Sequence, residues 1–378
     1  MGEHFKLALM AIASAARARK VFLLSWFAAL GFPQPSHAVQ PQEPSILREA
    51  CSGCSIQLTL AATLAPAPSG GGFSVFSDIY RLHDGRYLVA NEVPAGELEL
   101  YSAEGEFIRL VGSSGQGPGE FGFIREIFRM AGDSIGVTDL TNLRLTVLDE
   151  DLKVARTTPL PFRHREAVAF GPHVVVNGQV RTPEHAGYPF HVADGSEIDL
   201  SFGADTAVFR GDLLGINNRP MTGSSAGMWA AFMGQYVLDH FDLLGVRTRR
   251  LVREVDWFEP WGTISLPTPD TPPSPQVIRL SADSEGRLWT VLHLASPEWA
   301  RHLTERVVDG RATYSFQALD GIYDSVIEVI DPEEGTVLAT ARMDEIVFAF
   351  ADSQHVASVR EGSDLLPRID VWKITVSR

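Results

Sequence analysis

Cysteine is nearly absent: the 378 residues hold only Cys51 and Cys54, in the stretch CSGCS. No His follows Cys54, so the haem-attachment pattern fails. One C-x-x-C supplies half of the ligands of a structural zinc site. A thioredoxin-like role would need a helix start in a βαβ setting, which the flanking residues do not offer. The preceding LREAC puts Arg48 and Glu49 where a lipoprotein signal carries small or apolar residues. For an exported chain the plain reading is a local Cys51–Cys54 disulfide. Positive charge is also scarce, with 32 Lys and Arg against 47 Asp and Glu and a net charge of −15. That balance excludes a basic nucleic-acid face and says nothing about fold. Enzyme signatures are few: the chain has no H-E-x-x-H, and GSSAG at Gly223–Gly227 spells G-x-S-x-G by letter but without the strand-to-helix setting of a nucleophile elbow. Helical periodicity is almost absent as well.

Long apolar runs are few. VFLLSWFAALGF (Val21–Phe32) has 12 residues, too few to span a bilayer comfortably. Arg17, Arg19 and Lys20 precede it and SHA follows, with small residues at Ser36 and Ala38. This is the pattern of a secretory signal cleaved after residue 38, with an uncleaved anchor as its rival. The charged region is long, which leaves Met10 as an alternative start, and no twin-arginine motif is present. Segment 1–38 holds four Lys or Arg and one Glu, so its removal takes the net charge from −15 to −18. Residues 39–50 read as a linker and 51–378 as one folded domain. The compartment is periplasmic or extracellular, with no membrane span left after cleavage.

What is present after Gln40 is β-sequence. Strand-length runs of Val, Leu, Ile, Phe and Tyr alternate with Gly, Asp, Asn and Pro. GRYLVAN, GELELYS and GEFIRLVG follow one another from Gly85 to Gly112. Arg219, Ser224 and Trp229 share the spacing of Arg279, Ser284 and Trp289. Units of this kind recur at about 40–60 residues, the period of a propeller blade. The count is six: Phe73–Gly112, Phe123–Leu160, Arg165–Gly203, Arg219–Phe258, Val277–Met343, and a last unit from Ile346 that lacks a strand. SIQLTLAATLA (Ser55–Ala65) supplies it. The predicted fold is therefore an all-β, six-bladed β-propeller, closed by an N-terminal strand that removes an exposed edge. Trp229 and Trp289 fall on second strands and read as core.

GSSGQGPGEFGF (Gly112–Phe123) invites a phosphate-loop reading. No helix start and no Lys-Ser/Thr follows it, so the anion-binding geometry is missing. A turn between blades, with Gly free to take positive φ and Pro118 presetting its own, accounts for the residues. Gly119-Glu120-Phe121, Val137-Thr138-Asp139 and Asn142-Leu143-Arg144 together resemble an NHL-type propeller repeat. The likeness is strong over this blade and weak elsewhere. The arrangement is similar to secreted bacterial six-bladed propellers with a GxGPGEF turn, as is VREVDWF (Val252–Phe258). Blade three lacks the glycine-rich turn, and blade five carries a long insertion. The resemblance implies binding or unassigned activity. Related six-bladed folds include calcium-dependent lactonases and metal-dependent lyases.

With strands a to d in each blade, the d-to-a and b-to-c connections share one face. The long insertions, Arg181–Tyr188, Ala204–Asn218, Glu259–Gln276 and Ala295–Tyr323, fall there and mark it as a binding face. Trp257, Phe258, Trp261 and Trp299 lie on these loops and offer rings to an apolar or sugar-like ligand, or pack the loops onto the blades. Arg163, His164, Arg219 and Arg279 suit an anion in the channel, or pair with carboxylates. Asn91, Asp139, Asn177 and His293, near the ends of b strands, suit a channel metal only if several converge. His185 and His191 have no standard zinc spacing. No metal or cofactor is assigned. The leading expectation is an exported, non-catalytic propeller binding a small molecule or an envelope or extracellular protein. A metal-dependent, lactonase-like hydrolase or lyase is the alternative.

Overall fold

The b and c strands are mostly apolar because they are buried on both faces. Tyr87–Ala90, Leu98–Tyr101 and Ile135–Asp139 have every residue buried. The d strands are polar and face solvent; Val154–Pro159 has no buried residue. This contrast fixes a stack of sheets packed face to face, with d outermost. The computed structural model describes residues 43–378 apart from 52, 69–71, 92–95, 205–217, 263, 309–310, 363 and 378. The 1–38 signal assignment and most of the 204–218 insertion lie outside the described residues.

Six antiparallel sheets result, and the chain is a six-bladed β-propeller. Blade 1 spans Asp78–Arg81, Tyr87–Ala90, Leu98–Tyr101 and Phe107–Val111. Blade 2 spans Ile124–Arg129, Ile135–Asp139, Arg144–Leu148 and Val154–Pro159. Blade 3 spans His164–Phe170, His173–Gly178, Phe190–Asp194 and Glu197–Phe202. Blade 4 spans Met221–Ser224, Gly227–Phe232, Gln235–Asp242 and Arg247–Val252. Blade 5 spans Gln276–Ala282, Leu288–Ala295, Tyr323–Asp331 and Thr336–Met343, with a hairpin of Thr304–Val308 and Arg311–Ser315 between its b and c strands. Blade 6 takes Ile346–Asp352, His355–Glu361 and Pro367–Ser377 from the C-terminus and Ser55–Leu64 from the N-terminal side.

The core is distributed rather than central. One apolar cluster fills each gap between neighbouring blades, for instance Leu88, Leu98, Ile127 and Val137 between blades 1 and 2. Ala62, Leu64, Ile79 and Val371 fill the gap between blades 6 and 1. Trp289 lies in the cluster between blades 5 and 6, and Trp229 packs against that between blades 4 and 5.

The segment expected to be a linker contributes to the sheets. Ser45–Ile46 pairs in parallel with the d strand of blade 4, and Arg48–Glu49 with that of blade 5. Leu47, between them, is buried in the blade 4–5 cluster. The Glu49 carboxylate accepts from Arg253 at 3.1 Å, and Arg253 also meets the buried Glu328 at 3.2 Å. Two-residue strands carry no periodicity, so this strap has no signature in the sequence. Cys51 and Cys54, joined by a disulfide, link it to the closing strand.

The glycine-rich connection is filled by its own side chains. Asp139 accepts the backbone N–H groups of Gly122 at 2.7 Å, Phe123 at 3.1 Å, and Thr141 and Asn142 at 3.0 Å. Arg144 donates to the carbonyls of Gln116, Gly117 and Glu120. The Glu120 carboxylate takes the Gly117 N–H at 2.7 Å, where a bound anion would sit. Gly112 has φ +80°, and a Cβ there would lie 2.5 Å from the Gly119 carbonyl oxygen. Asp139→Ala leaves several inward donors without an acceptor. A loss of about 3 kcal/mol or more is expected in urea unfolding; a loss under about 1 kcal/mol would show that water replaces the carboxylate.

Candidate functional site

The inner strands carry the site. Their ladders slip by one residue between Ile124 and Glu126, His164 and Glu166, and Val277 and Arg279. Such bulges re-aim the side chains that follow them. Glu126, Glu166 and Arg279 all line the central channel, and Asp78, the first residue of blade 1, joins them. They stand around a cavity of about 540 Å³. At about 3.3 Å per residue they lie roughly 10 Å in from the a-to-b turns. Asp84, Asp133 and Gln354 from those turns, with Glu150 from a c-to-d turn, form the mouth. The cavity thus opens on the face away from the long insertions. Tyr80, Phe128 and Phe350 add aromatic wall.

Charge on the cavity floor is unbalanced. Arg279 Nη1 lies 3.2 Å from Glu166 Oε1. Asp78 Oδ2 accepts the Ile127 N–H at 2.6 Å. Arg125 lies 3.6 Å from Glu126, but its Nε donates to the Arg165 carbonyl at 2.8 Å. Three carboxyls therefore meet two guanidiniums, Arg279 lining the cavity and Arg125 beside Glu126. Burial pushes the Asp78 carboxyl up to about 6, against the pull of Arg279. Burial pushes Glu126 well above its ordinary value, and Glu166 and Asp78 add to the effect. The rim cations are paired: Arg81 with Asp352 at 3.3 Å, Arg86 with Asp84 at 2.7 Å, and Arg129 with Asp133. Among the described residues no group of three or more His, Cys, Asp or Glu is placed to hold a metal ion.

The residues singled out from sequence are dispersed. Arg279 alone lines the cavity. His164 is buried at the start of the same strand as Glu166, and burial, with Arg125 nearby, holds its imidazole down to about 4. Arg163 beside it is exposed. The buried Arg219 guanidinium sits 3.3 Å from the Phe232 ring centroid. Phe258 is buried against Tyr236, with ring centroids 5.6 Å apart. The indole N–H of Trp261 donates to Pro275 O at 2.5 Å, and that of Trp299 to Thr268 O at 3.2 Å. Trp257 is 39% exposed and is the one ring of the four that is open to solvent.

The b-strand residues brace backbone. Asn91 accepts from Ser77, Asn177 accepts the Arg219 N–H and donates to Pro189 O, and His293 donates to Val347 O at 2.9 Å. His185 and His191 both meet Ser201 Oγ, at 2.9 and 2.8 Å. Asp78, Glu126 and Glu166 went unnoticed in the sequence. Their signal was a repeated Arg-Glu pair, in FIREIF at Phe123–Phe128 and in FRHREAV at Phe162–Val168.

A family model described as a 6-bladed beta-propeller matches residues 75–169, which span blades 1 and 2 and most of the inner strand of blade 3. The search of curated proteins finds no match. Among solved structures, a protein of Bacteroides fragilis described as exported is similar at 10% identity, with a TM-score of 0.56, covering 88% of this chain and 99% of its own. A member of the duf4221 family from Bacteroides vulgatus is similar at 9% identity, with a TM-score of 0.56, covering 86% and 99%. At these identities the likeness is one of fold: the chain is a six-bladed propeller similar in fold to two bacterial proteins that it matches over nearly their whole length. Among the described residues no helix is long and apolar enough to cross a membrane.

Proposed function

We propose that this protein is an exported, non-catalytic ligand-binding propeller whose site is the central cavity, open on the a-to-b turn face. One observation carries the reading: Asp78, Glu126 and Glu166 line an open cavity and outnumber the guanidiniums that meet them, Arg279 at Glu166 and Arg125 beside Glu126. Buried carboxyls short of counter-charge oppose folding. Groups of that kind, gathered in a cleft, mark functional sites. The insertion face supports the reading less well, because Phe258, Trp261 and Trp299 are engaged in packing or hydrogen bonds of their own. Export is supported by the Arg/Lys-flanked apolar segment ending in SHA. The GxGPGEF turn supports a place among secreted bacterial propellers with NHL-like repeats.

Thr222 lines the cavity from blade 4. Thr222→Trp should fill the space without touching the inter-blade clusters. Native mass spectrometry and thermal shift against a panel of cationic, neutral and anionic small molecules provide the test. The expected result is at least one ligand held by the parent protein and lost in Thr222→Trp. Identical profiles for both proteins would remove the cavity as the site.

A further inference from the structure

Resting on that reading of the cavity, we propose that its ligand is a compact organic cation, a protonated amine or quaternary ammonium on a short apolar body, and that its capture displaces protons from the floor. Two features of different kind point the same way. The first is the charge imbalance. Asp78, Glu126 and Glu166 line one cavity with Arg279, which is engaged with Glu166 at 3.2 Å, while Arg125 stands 3.6 Å from Glu126, so among the described residues the floor acids still outnumber the guanidiniums that meet them. Outward of the floor stand His83 and the arginines of the rim, and each of those arginines has an acid of its own: Arg86 is held by Asp84 at 2.7 Å. Arg81 is held by Asp352, which also takes His355 at 2.8 Å, and Arg129 is held by Asp133. Glu150 adds a further acid at the mouth.

The second feature is the wall. Tyr80, Phe128 and Phe350 border the same cavity while packing against the inter-blade clusters, and aromatic rings attract cations while accepting an alkyl body. Aromatic rings with carboxylates favour ammonium over a hydrated metal ion, which prefers several converging oxygens. A cavity of about 540 Å³ is of the size that holds a small molecule.

The step balances simply. A neutral Asp78 or Glu126 carboxyl loses its O–H proton to solvent, and the resulting carboxylate pairs with the incoming ammonium, which keeps its own protons. Burial holds both acids up, Asp78 to about 6, so the exchange falls above the ordinary carboxylate range. Binding therefore tightens as pH rises through the range where the empty cavity still holds its protons.

The test is calorimetric titration of the purified propeller with 1,4-diaminobutane and with tetramethylammonium. Glucose, succinate and calcium serve as comparisons, in two buffers of different ionisation heat. The expected result is saturable binding of a cation that tightens about tenfold from pH 5 to pH 7, with net proton release. Asp78→Asn with Glu126→Gln should weaken it at least about tenfold. If that double variant does not fold, Thr222→Lys, which places an ammonium in the cavity, should block the same cations. Binding of glucose or succinate but neither cation would overturn the inference and leave the cavity reading intact. Tighter binding of calcium than of either cation would also overturn it. Binding of a cation without proton release, or unaffected by the variants, would overturn the proposed mechanism of capture. Failure of all probes, together with identical profiles for the parent and Thr222→Trp, would remove the cavity reading itself.

Discussion

Deletion of residues 51–65 is expected to abolish cooperative folding. Ser55–Leu64 pairs along its length with Pro367–Ser377, from Ser55 opposite Ser377 to Leu64 opposite Ile369. It buries Ile56 against blade 5 and Ala62 and Leu64 against blade 1, so one strand serves two inter-blade clusters. Asp370 is held from both sides, by Thr63 at 2.5 Å and by Arg360. Without the strand, the c strand of blade 6 becomes an open edge and the ring is no longer sealed. Domains of this kind are stable by only about 5–15 kcal/mol, and loss of a whole strand removes a comparable amount. Circular dichroism in urea should show a broad or absent transition. A sharp transition with the parent's midpoint would mean that blade 6 closes without its N-terminal strand.

Asp78→Asn should stabilise the empty protein near neutral pH, which is unusual for a substitution at an inner strand. The folded Asp78 carboxyl ionises near 6, above the ordinary 3.8. Below the unfolded value both states are protonated and no penalty exists. As pH rises from about 4 to about 6 the unfolded chain ionises first and stability falls. Above that range the penalty is complete and constant. Asn keeps an acceptor for the Ile127 N–H and carries no such penalty. Because Asp78 is partly open to the cavity, the gain is taken as about 1–2 kcal/mol at pH 7, a few tenths at pH 4 and close to nil only below about pH 3. A melting temperature raised by about 2–6 °C at pH 7 and by about 1 °C or less at pH 4 is the expected reading. A uniform loss at both values would mean that the Ile127 hydrogen bond outweighs the charge.

The blades were legible because their b and c strands are apolar on both faces and their turns repeat Gly, Asp and Asn. The closing strand was legible because blade 6 is one strand short. The strap was not, since Ser45–Glu49 makes its contacts through two-residue strands and one buried Leu. The cavity was hidden for a different reason. Its floor is built by bulges, and a one-residue slip changes which side chain reaches the axis without changing the pattern of apolar residues. Rings such as Trp261 and Trp299 drew notice by their size, yet their indole N–H groups are spent on neighbouring carbonyls. Acids in ordinary-looking Arg-Glu pairs drew none.

The closing strand also sets an order of events. Its partner, Pro367–Ser377, is made after blades 1 to 5, so the closing strand must wait for the rest of the ring. Contacts separated by almost the whole chain form late and slowly. Under the export proposed above the wait is useful, because the ring cannot seal until all six blades have been made.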